Sequence, residues 1–280
     1  MEAVTSSLVR QFSVKRIGKS LSERAVDTVA AEEPLEIRLS YWFKNARSVE
    51  SLAITMRTPG HDAELAVGFL YAEGIIQSHR DIVEMRKLGG EESNEILIEV
   101  SAEVDVQIWR MSRATFVNSS CGVCGKRSME SLTGHARTEA NDGVEVRASL
   151  ITKLPEILRT AQTGFSQTGG LHGAAFIDAN GEMKAAFEDI GRHNALDKLI
   201  GWALLGEQLP LRNRIIFLSS RSSFELVQKA ATAGASVLAT VGSPSSLAIE
   251  SARQYGLTLI GFVRDERFNI YSGDWRINSS

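Results

Sequence analysis

The chain has 280 residues, 43% of them hydrophobic and 23% charged, with a formal net charge of −3. That composition is ordinary for a globular protein with one large core or two modest ones, and the charge balance excludes a nucleic-acid coat or a polybasic membrane anchor. No apolar run approaches the ~20 residues of a membrane helix, so neither nucleic acid nor membrane is expected as a partner.

The first residues carry scattered basic side chains and no acidic one between Glu2 and Glu23. They lack the apolar stretch of a secretory signal, and residues 1–30 read as a flexible lead. Leu35 to Phe43 alternates as a strand, and SLAITMRT follows as a second. Thr58 and Pro59 predict a helix start, as N-cap and first helical residue, with Gly74 closing that helix. NEILIEVSAEVDVQI reads as further strand. Residues 31–145 therefore form an α+β N-terminal domain that ends in a Cys-x-x-Cys loop, with a hinge or loop around Asn141 to Gly143.

Residues 146–280 read as an α/β domain. LITKLPEILRTA predicts a helix interrupted by Pro155. GAAFIDANGEMKAAFED is a hairpin turning at Asn180-Gly181. Helix, strand, helix, strand, helix and strand then follow, through NALDKLIGWALL, RIIFLSS, a helix closed by Gly234, ASVLATVGS, a helix capped at Ser243-Pro244 and ended by Gly256, and LTLIGF as the last strand. This alternation predicts βαβ units and a partly parallel sheet. If those strands are parallel, Ser219-Ser220-Arg221, Val241-Gly242-Ser243 and Phe262-Val263-Arg264 lie on one edge. Helix N-termini there favour anions, and Arg221, Arg264 and Arg267 could add charge-assisted contacts. The same serines serve equally well as ordinary caps. The P-loop and dinucleotide fingerprints are absent.

Both cysteines of the chain, Cys121 and Cys124, fall in SCGVCGK. A lone Cys-x-x-Cys in a chain without a secretory signal points to redox, metal or sulfur chemistry. Disulfide exchange fits poorly, because such pairs sit near the start of a thioredoxin-like unit. Zinc needs two more ligands, for which His172, His193, Glu188 and Asp189 are available, but no H-x-E precedes the pair as in zinc deaminases. A persulfide carrier needs an accessible thiolate in a flexible, electropositive setting, which Gly122, Gly125, Lys126 and Arg127 supply. EDIGRHNALDK gathers a second set of polar groups at one helix start, with Asp189 as its cap. Asp197 and Lys198 read as its solvated face. His172, Glu188, Arg192 and His193 fit a ligand site and a structural network equally.

SCGVCGK, TGGLHGAAF, EDIGRHNALDKLIG, SSRSSFELVQKAATAG and LTLIGFVRDERFNIYSG, in this order, resemble the formate dehydrogenase accessory sulfurtransferases, and TPGHDAELAVGFLYAEGII is similar as well. The resemblance runs from about residue 30 to the C-terminus. It implies a cytoplasmic homodimer whose C-terminal half is similar to the cytidine deaminase fold. It implies a sulfurtransferase that takes sulfur as a persulfide from a cysteine desulfurase and passes it to the molybdenum cofactor, as the bis-molybdopterin guanine dinucleotide, before insertion into formate dehydrogenase. By resemblance Cys121 holds the persulfide and Cys124 is its partner. Phe262, Val263, Arg264, Asp265, Glu266 and Arg267 fall on the cofactor-binding stretch, whose anions are then guanine-nucleotide phosphates. Some relatives have proline and glycine where this chain has Asp265 and Glu266, so the two arginines are the firmer assignment. No structural metal is implied. A cofactor chaperone without enzymatic activity and a zinc-dependent hydrolase are the alternatives.

Overall fold

The computed structural model describes residues 8–19, 22–90, 93–106 and 143–278. It opens on an antiparallel ribbon of β1 (Val9–Ile17) and β2 (Ser22–Ala30). Residues 9–30 are thus regular strand over most of their length, a correction to the expected flexible lead. The reason is local. Strand-favouring residues recur at Val14, Ile17, Val26, Thr28 and Val29 on both sides of Gly18, and pairing close neighbours in sequence costs little loop entropy.

β3 (Glu33–Phe43) and β4 (Ala46–Arg57) form a hairpin that turns at Lys44 and Asn45, both with positive φ, as a two-residue primed turn requires. With β5 (Ile82–Lys87) and β6 (Glu95–Val100) they make a four-stranded sheet in the order β4-β3-β6-β5. The alternate residues Leu35, Ile37, Leu39 and Tyr41 point inward, where α1 (Asp62–Ala72) covers them with Leu65 and Leu70. Residues 101–106 turn rather than prolong β6. The helix also starts later than Thr58-Pro59 predicts, with His61 as N-cap at φ 58°. Thr58 is engaged elsewhere, in a junction described below.

The C-terminal part begins with β7 (Val146–Arg147), α2 (Ala148–Ile151) and α3 (Leu154–Arg159), the last two separated where Pro155 cannot donate a helical hydrogen bond. After α4 (Thr163–Thr168) come the hairpin β8 (His172–Asp178) and β9 (Met183–Asp189), then α5 (Arg192–Leu205). β10 (Arg214–Leu218), α6 (Phe224–Thr232), β11 (Val237–Thr240), α7 (Ser246–Tyr255) and β12 (Thr258–Arg264) make two βαβ units. β12 is not the last strand: β13 (Arg267–Ser272) returns antiparallel to it, and β14 (Ile277–Asn278) pairs with β7. The six-stranded sheet has the order β13-β12-β11-β10-β8-β9, with β10, β11 and β12 parallel as the alternation predicts. Successive residues feed opposite faces. Ile216 and Leu218 meet α5, α6 and α7, while Ile215 and Phe217 meet α2 and α3.

The two sheets are joined through α1 and α5. Gly68 of α1 and Gly201 of α5 sit where the helices touch: a Cβ on Gly68 would lie 1.9 Å from the Asp197 carbonyl oxygen, and one on Gly201 would lie 1.9 Å from that of Glu64. Only glycine lets the two backbones come so close. Leu204 of α5 completes the core under the four-stranded sheet.

Candidate functional site at the carboxyl edge of the C-terminal sheet

The parallel strands β10, β11 and β12 end on one edge, and the antiparallel β8 begins there. Ser219, just past β10, donates its amide to the Gly173 carbonyl at 3.0 Å and accepts the Gly173 amide on Oγ at 2.8 Å. His172 lies opposite Asp189 in register, which brings the start of β8 and the end of β9 to the same edge. Ser223 stands at the N-cap position of α6, with no side-chain bond to that helix, and Ser245 caps α7 at this edge, accepting the Ala248 amide on Oγ at 3.2 Å. Ser245 replaces the expected Ser243-Pro244 cap. Ser243 and Pro244 are drawn into a short parallel bridge with Ser222, whose amide donates to the Ser243 carbonyl at 3.2 Å. Gly242 is pressed under Arg221, since a Cβ there would stand 2.7 Å from Arg221 Cγ.

The stretch from Phe262 to Arg267 forms the outer corner. β12 bulges between Gly261 and Arg264, and Phe262 has φ 55° while donating its amide to the Gly242 carbonyl at 3.1 Å. An aromatic residue in that region carries about 1–3 kcal/mol of strain, the sort of cost tolerated where a surface is shaped for a ligand. The Arg264 guanidinium lies 5.6 Å from the Phe262 ring centroid. Asp265 and Glu266, at φ 52° and 57°, are the two central residues of the β12–β13 turn. Proline cannot adopt a positive φ, so a proline-glycine version of this turn needs another backbone. Asp265 stands 4.0 Å from Arg264, both well exposed, an ion pair of little energetic weight. Val263 is fully buried, so its side chain belongs to the core and only its backbone can face a ligand. Among the described residues, no carboxylate lies within ion-pair distance of Arg192, Arg221 or Arg267. The edge therefore carries three guanidiniums without a carboxylate partner among the described residues, beside the exposed carboxylates of Asp265 and Glu266.

Behind the corner, His193 and Glu225 bridge the starts of α5 and α6, Nε2 to Oε2 at 2.9 Å, with Ser223 Oγ 3.4 Å from the same nitrogen. Burial, reinforced by the charge of Arg192, pushes the His172 imidazole below its ordinary pKa, so it is neutral at neutral pH. Glu188 is structural, since its two oxygens accept the Gly164 and Phe165 amides at 2.8 Å each. Among the described residues no three His, Cys, Asp or Glu side chains group as a metal site.

The remaining polar residues of the motif form a buried junction between the two sheets. Asp189 Oδ2 accepts the Thr58 amide at 3.1 Å and pairs with Lys198 Nζ at 2.8 Å. Its Oδ1 accepts the Gly191 amide at 2.8 Å and Asn194 Nδ2 at 3.0 Å. Gly191, not Asp189, is the N-cap of α5. Thr58 returns a contact by accepting the Ile190 amide on Oγ1, and its carbonyl accepts Lys198 Nζ at 2.9 Å. Lys198 is 1% exposed and Asp197 3%, which corrects the expectation of a solvated face. Asp197 is instead held by Lys229, whose Nζ lies 2.6 and 2.8 Å from its two oxygens. Lys198→Met removes one half of a buried pair and leaves the Asp189 charge with only neutral donors, the Thr58 and Gly191 amides and Asn194 Nδ2. It is expected to cost about 3 kcal/mol in urea unfolding. A loss below about 1 kcal/mol would show that the pair does not hold the junction.

A sequence model of the FdhD/NarQ family matches residues 30–278. The chain belongs to the FdhD/NarQ family. It is 43% identical over 259 residues to the sulfur carrier protein FdhD of Streptomyces coelicolor, covering 90% of this chain and 89% of that one. It is 39% identical to the protein of the same name from Saccharolobus solfataricus, over 96% and 98% of the two chains, and 40% identical to that of Thermoplasma volcanium, over 99% of each. In fold it is similar, with a TM-score of 0.76, to a crystal structure described as "a putative formate dehydrogenase accessory protein from Desulfotalea psychrophila". That likeness, at 24% identity, spans 97% of this chain and all of the other.

Of the residues singled out from sequence, the edge brings together Arg221, Gly242, Phe262, Arg264 and Arg267 with His172, Arg192 and His193. Cys121 and Cys124 lie outside the described residues, as do the hinge residues Asn141 and Asp142. Sequence reasoning missed Glu225, Ser223 and Asn194. Ser223 and Glu225 carry a local signal, a cap followed by an acid in the first helical turn. Asn194 carries none, because its partners Thr55 and Met56 are 139 and 138 residues away.

Proposed function

We propose that this chain is a sulfur carrier and sulfurtransferase that serves formate dehydrogenase. The observation that carries this is its end-to-end similarity, at 39–43% identity, to proteins named for sulfur carriage. The Cys121 thiolate attacks the terminal sulfur of a persulfide on a cysteine desulfurase. One S–S bond forms, the other breaks, and the desulfurase leaves as its own thiolate. Cys124 then attacks the inner sulfur of the Cys121 persulfide. A disulfide forms, and the outer sulfur leaves as hydrosulfide with the electron pair, ready to bind molybdenum.

The sulfur acceptor is the molybdenum cofactor in its bis-molybdopterin guanine dinucleotide form, bound as substrate at the carboxyl edge of the C-terminal sheet. Arg264 and Arg267 receive guanine-nucleotide phosphates, beside the bulged backbone at Phe262 and Val263. Asp265 and Glu266, at the turn tip, are placed to take ribose hydroxyls or a base edge rather than phosphate. The setting is cytoplasmic and the working unit a homodimer; among the described residues no helix is long and apolar enough to cross a membrane.

Intact-mass spectrometry after incubation with a desulfurase and cysteine tests this. A gain of about 32 Da, reversed by a thiol reductant, is the expected result. A chain that binds guanine nucleotide yet never gains sulfur would instead be a cofactor chaperone.

A further inference from the structure

We propose that Asn269 and Tyr271 are the specificity-determining pair of the nucleotide corner, two hydrogen-bond donors that read the O6 and N7 acceptors of a guanine base. This deepens the proposed function and rests on its placing a guanine nucleotide beside Arg264 and Arg267.

The alternation of β13, the outermost strand of the six-stranded sheet, sets the placement. Phe268 and Ile270 pack against the core on the α2 and α3 side. Arg267, Asn269 and Tyr271 therefore share the opposite face, where Tyr271 packs against the core under α5, α6 and α7. Arg267 opens the strand beside the β12–β13 turn, and both it and Asn269 are exposed. Asn269 lies two residues further on, on the order of 7 Å away, a gap that one ribose spans. A nucleotide whose phosphates meet Arg264 and Arg267 thus brings its base to Asn269 and Tyr271, and its ribose hydroxyls fall to Asp265 and Glu266.

Tyr271 is in position before any ligand arrives. Its ring lies over Gly261, where a Cβ would stand 3.1 Å from Tyr271 Cε2 and 3.0 Å from Pro244 Cδ. A side chain there would push both rings aside. Arg253 donates to the Tyr271 carbonyl at 3.4 Å. A side chain held this way loses little freedom on binding. The Tyr271 hydroxyl accepts a hydrogen bond from Asn269 Nδ2 at 3.4 Å, so its own O–H is left to donate. Asn269 Nδ2 keeps a second N–H. Among the described residues neither of these two protons has an acceptor. The corner therefore shows two donors side by side.

Base edges differ in what they can meet. Guanine shows two acceptors on one edge, N7 and O6, whereas adenine shows the N7 acceptor next to its N6 amino donor. Two donors fit the first and set donor against donor in the second, which leaves a polar group unpaired. The carboxylates of Asp265 and Glu266 could only read the other side of guanine, its N1–H and exocyclic amino group. Inosine lacks that amino group and keeps O6 and N7, so it separates the two ways of reading.

Isothermal titration calorimetry of the full chain with the 5′-diphosphates of guanosine, inosine, 7-deazaguanosine and adenosine is the test. Inosine diphosphate is expected within about threefold of guanosine diphosphate. The 7-deaza compound, which lacks the N7 acceptor, should bind at least about tenfold more weakly, and adenosine diphosphate at least about 100-fold more weakly. Tyr271→Phe should weaken guanosine diphosphate about tenfold. Asn269→Asp replaces a donor by an acceptor, so guanosine diphosphate should weaken while adenosine diphosphate tightens, a gain that misfolding could not give. Equal affinity for guanosine and adenosine diphosphates overturns the pair and leaves the nucleotide corner standing. So does a guanine preference that survives both substitutions, or inosine diphosphate binding about tenfold below guanosine diphosphate. A chain that binds none of the four at roughly 1 mM overturns the pair and the corner together.

Discussion

Cys121→Ala is expected to leave formate dehydrogenase inactive in a reconstituted maturation assay, at the background of reactions without this chain. The fall should be at least about 100-fold, because the proposed nucleophile of the first transfer is gone and a methyl group cannot take its place. The chain has only one other thiol, Cys124, so no third cysteine can substitute. Cys124→Ala should behave differently. The persulfide forms on Cys121 and the mass gain survives, but release slows until an external thiol provides the second sulfur. Supplying a small thiol should therefore rescue Cys124→Ala and not Cys121→Ala. Full activation by Cys121→Ala would remove this residue from the mechanism.

Gly201→Ala is expected to be strongly destabilising. In a free helix the change would stabilise by up to about 1 kcal/mol, since alanine is the better helix former. Here the new Cβ falls 1.9 Å from the Glu64 carbonyl oxygen. Neither atom belongs to a side chain that can swing away, so α1 and α5 must separate by about an ångström. Overpacking of this kind costs ~1–3 kcal/mol by itself. Moving α1 away also loosens Thr58 from Asp189 and Lys198, whose contacts at 2.8–3.1 Å depend on the same approach. A total of about 4 kcal/mol is expected in urea unfolding, with α1 and α5 losing amide-exchange protection together. A loss below about 1 kcal/mol would mean that the crossing tolerates a shift without strain.

Several features were legible from residues alone because their causes are local. The alternation in Leu35 to Phe43, the Asn180-Gly181 turn and the helix stops near Gly74, Gly234 and Gly256 depend on neighbours within a few positions, and each is where the pattern placed it. The edge of the sheet was also predictable, since strand–helix–strand order forces parallel strands to end together. Ser243-Pro244 misled because a residue that can cap a helix can equally join a bridge to another loop, and which use wins depends on Ser222.

Lys198 shows where local reading stops. In sequence it is one charge among many in EDIGRHNALDK, and a charged helix face is normally solvated. Its burial depends on Thr58, 140 residues earlier, arriving against α5 through the glycine contact at Gly68 and Gly201. Phe262 is similar: nothing in LTLIGFVRDER announces a positive φ, which the Gly242 carbonyl and the bulge opposite β13 impose. By itself the sequence determined the periodic elements, the parallel strand order and the motif set of the family, because these follow from spacing along one chain. The tertiary structure alone decided which charges are buried, which helix faces touch, and that Val263 turns inward while Arg264 and Arg267 stay exposed. Burial is a property of residues brought together from far apart, and no local period encodes it.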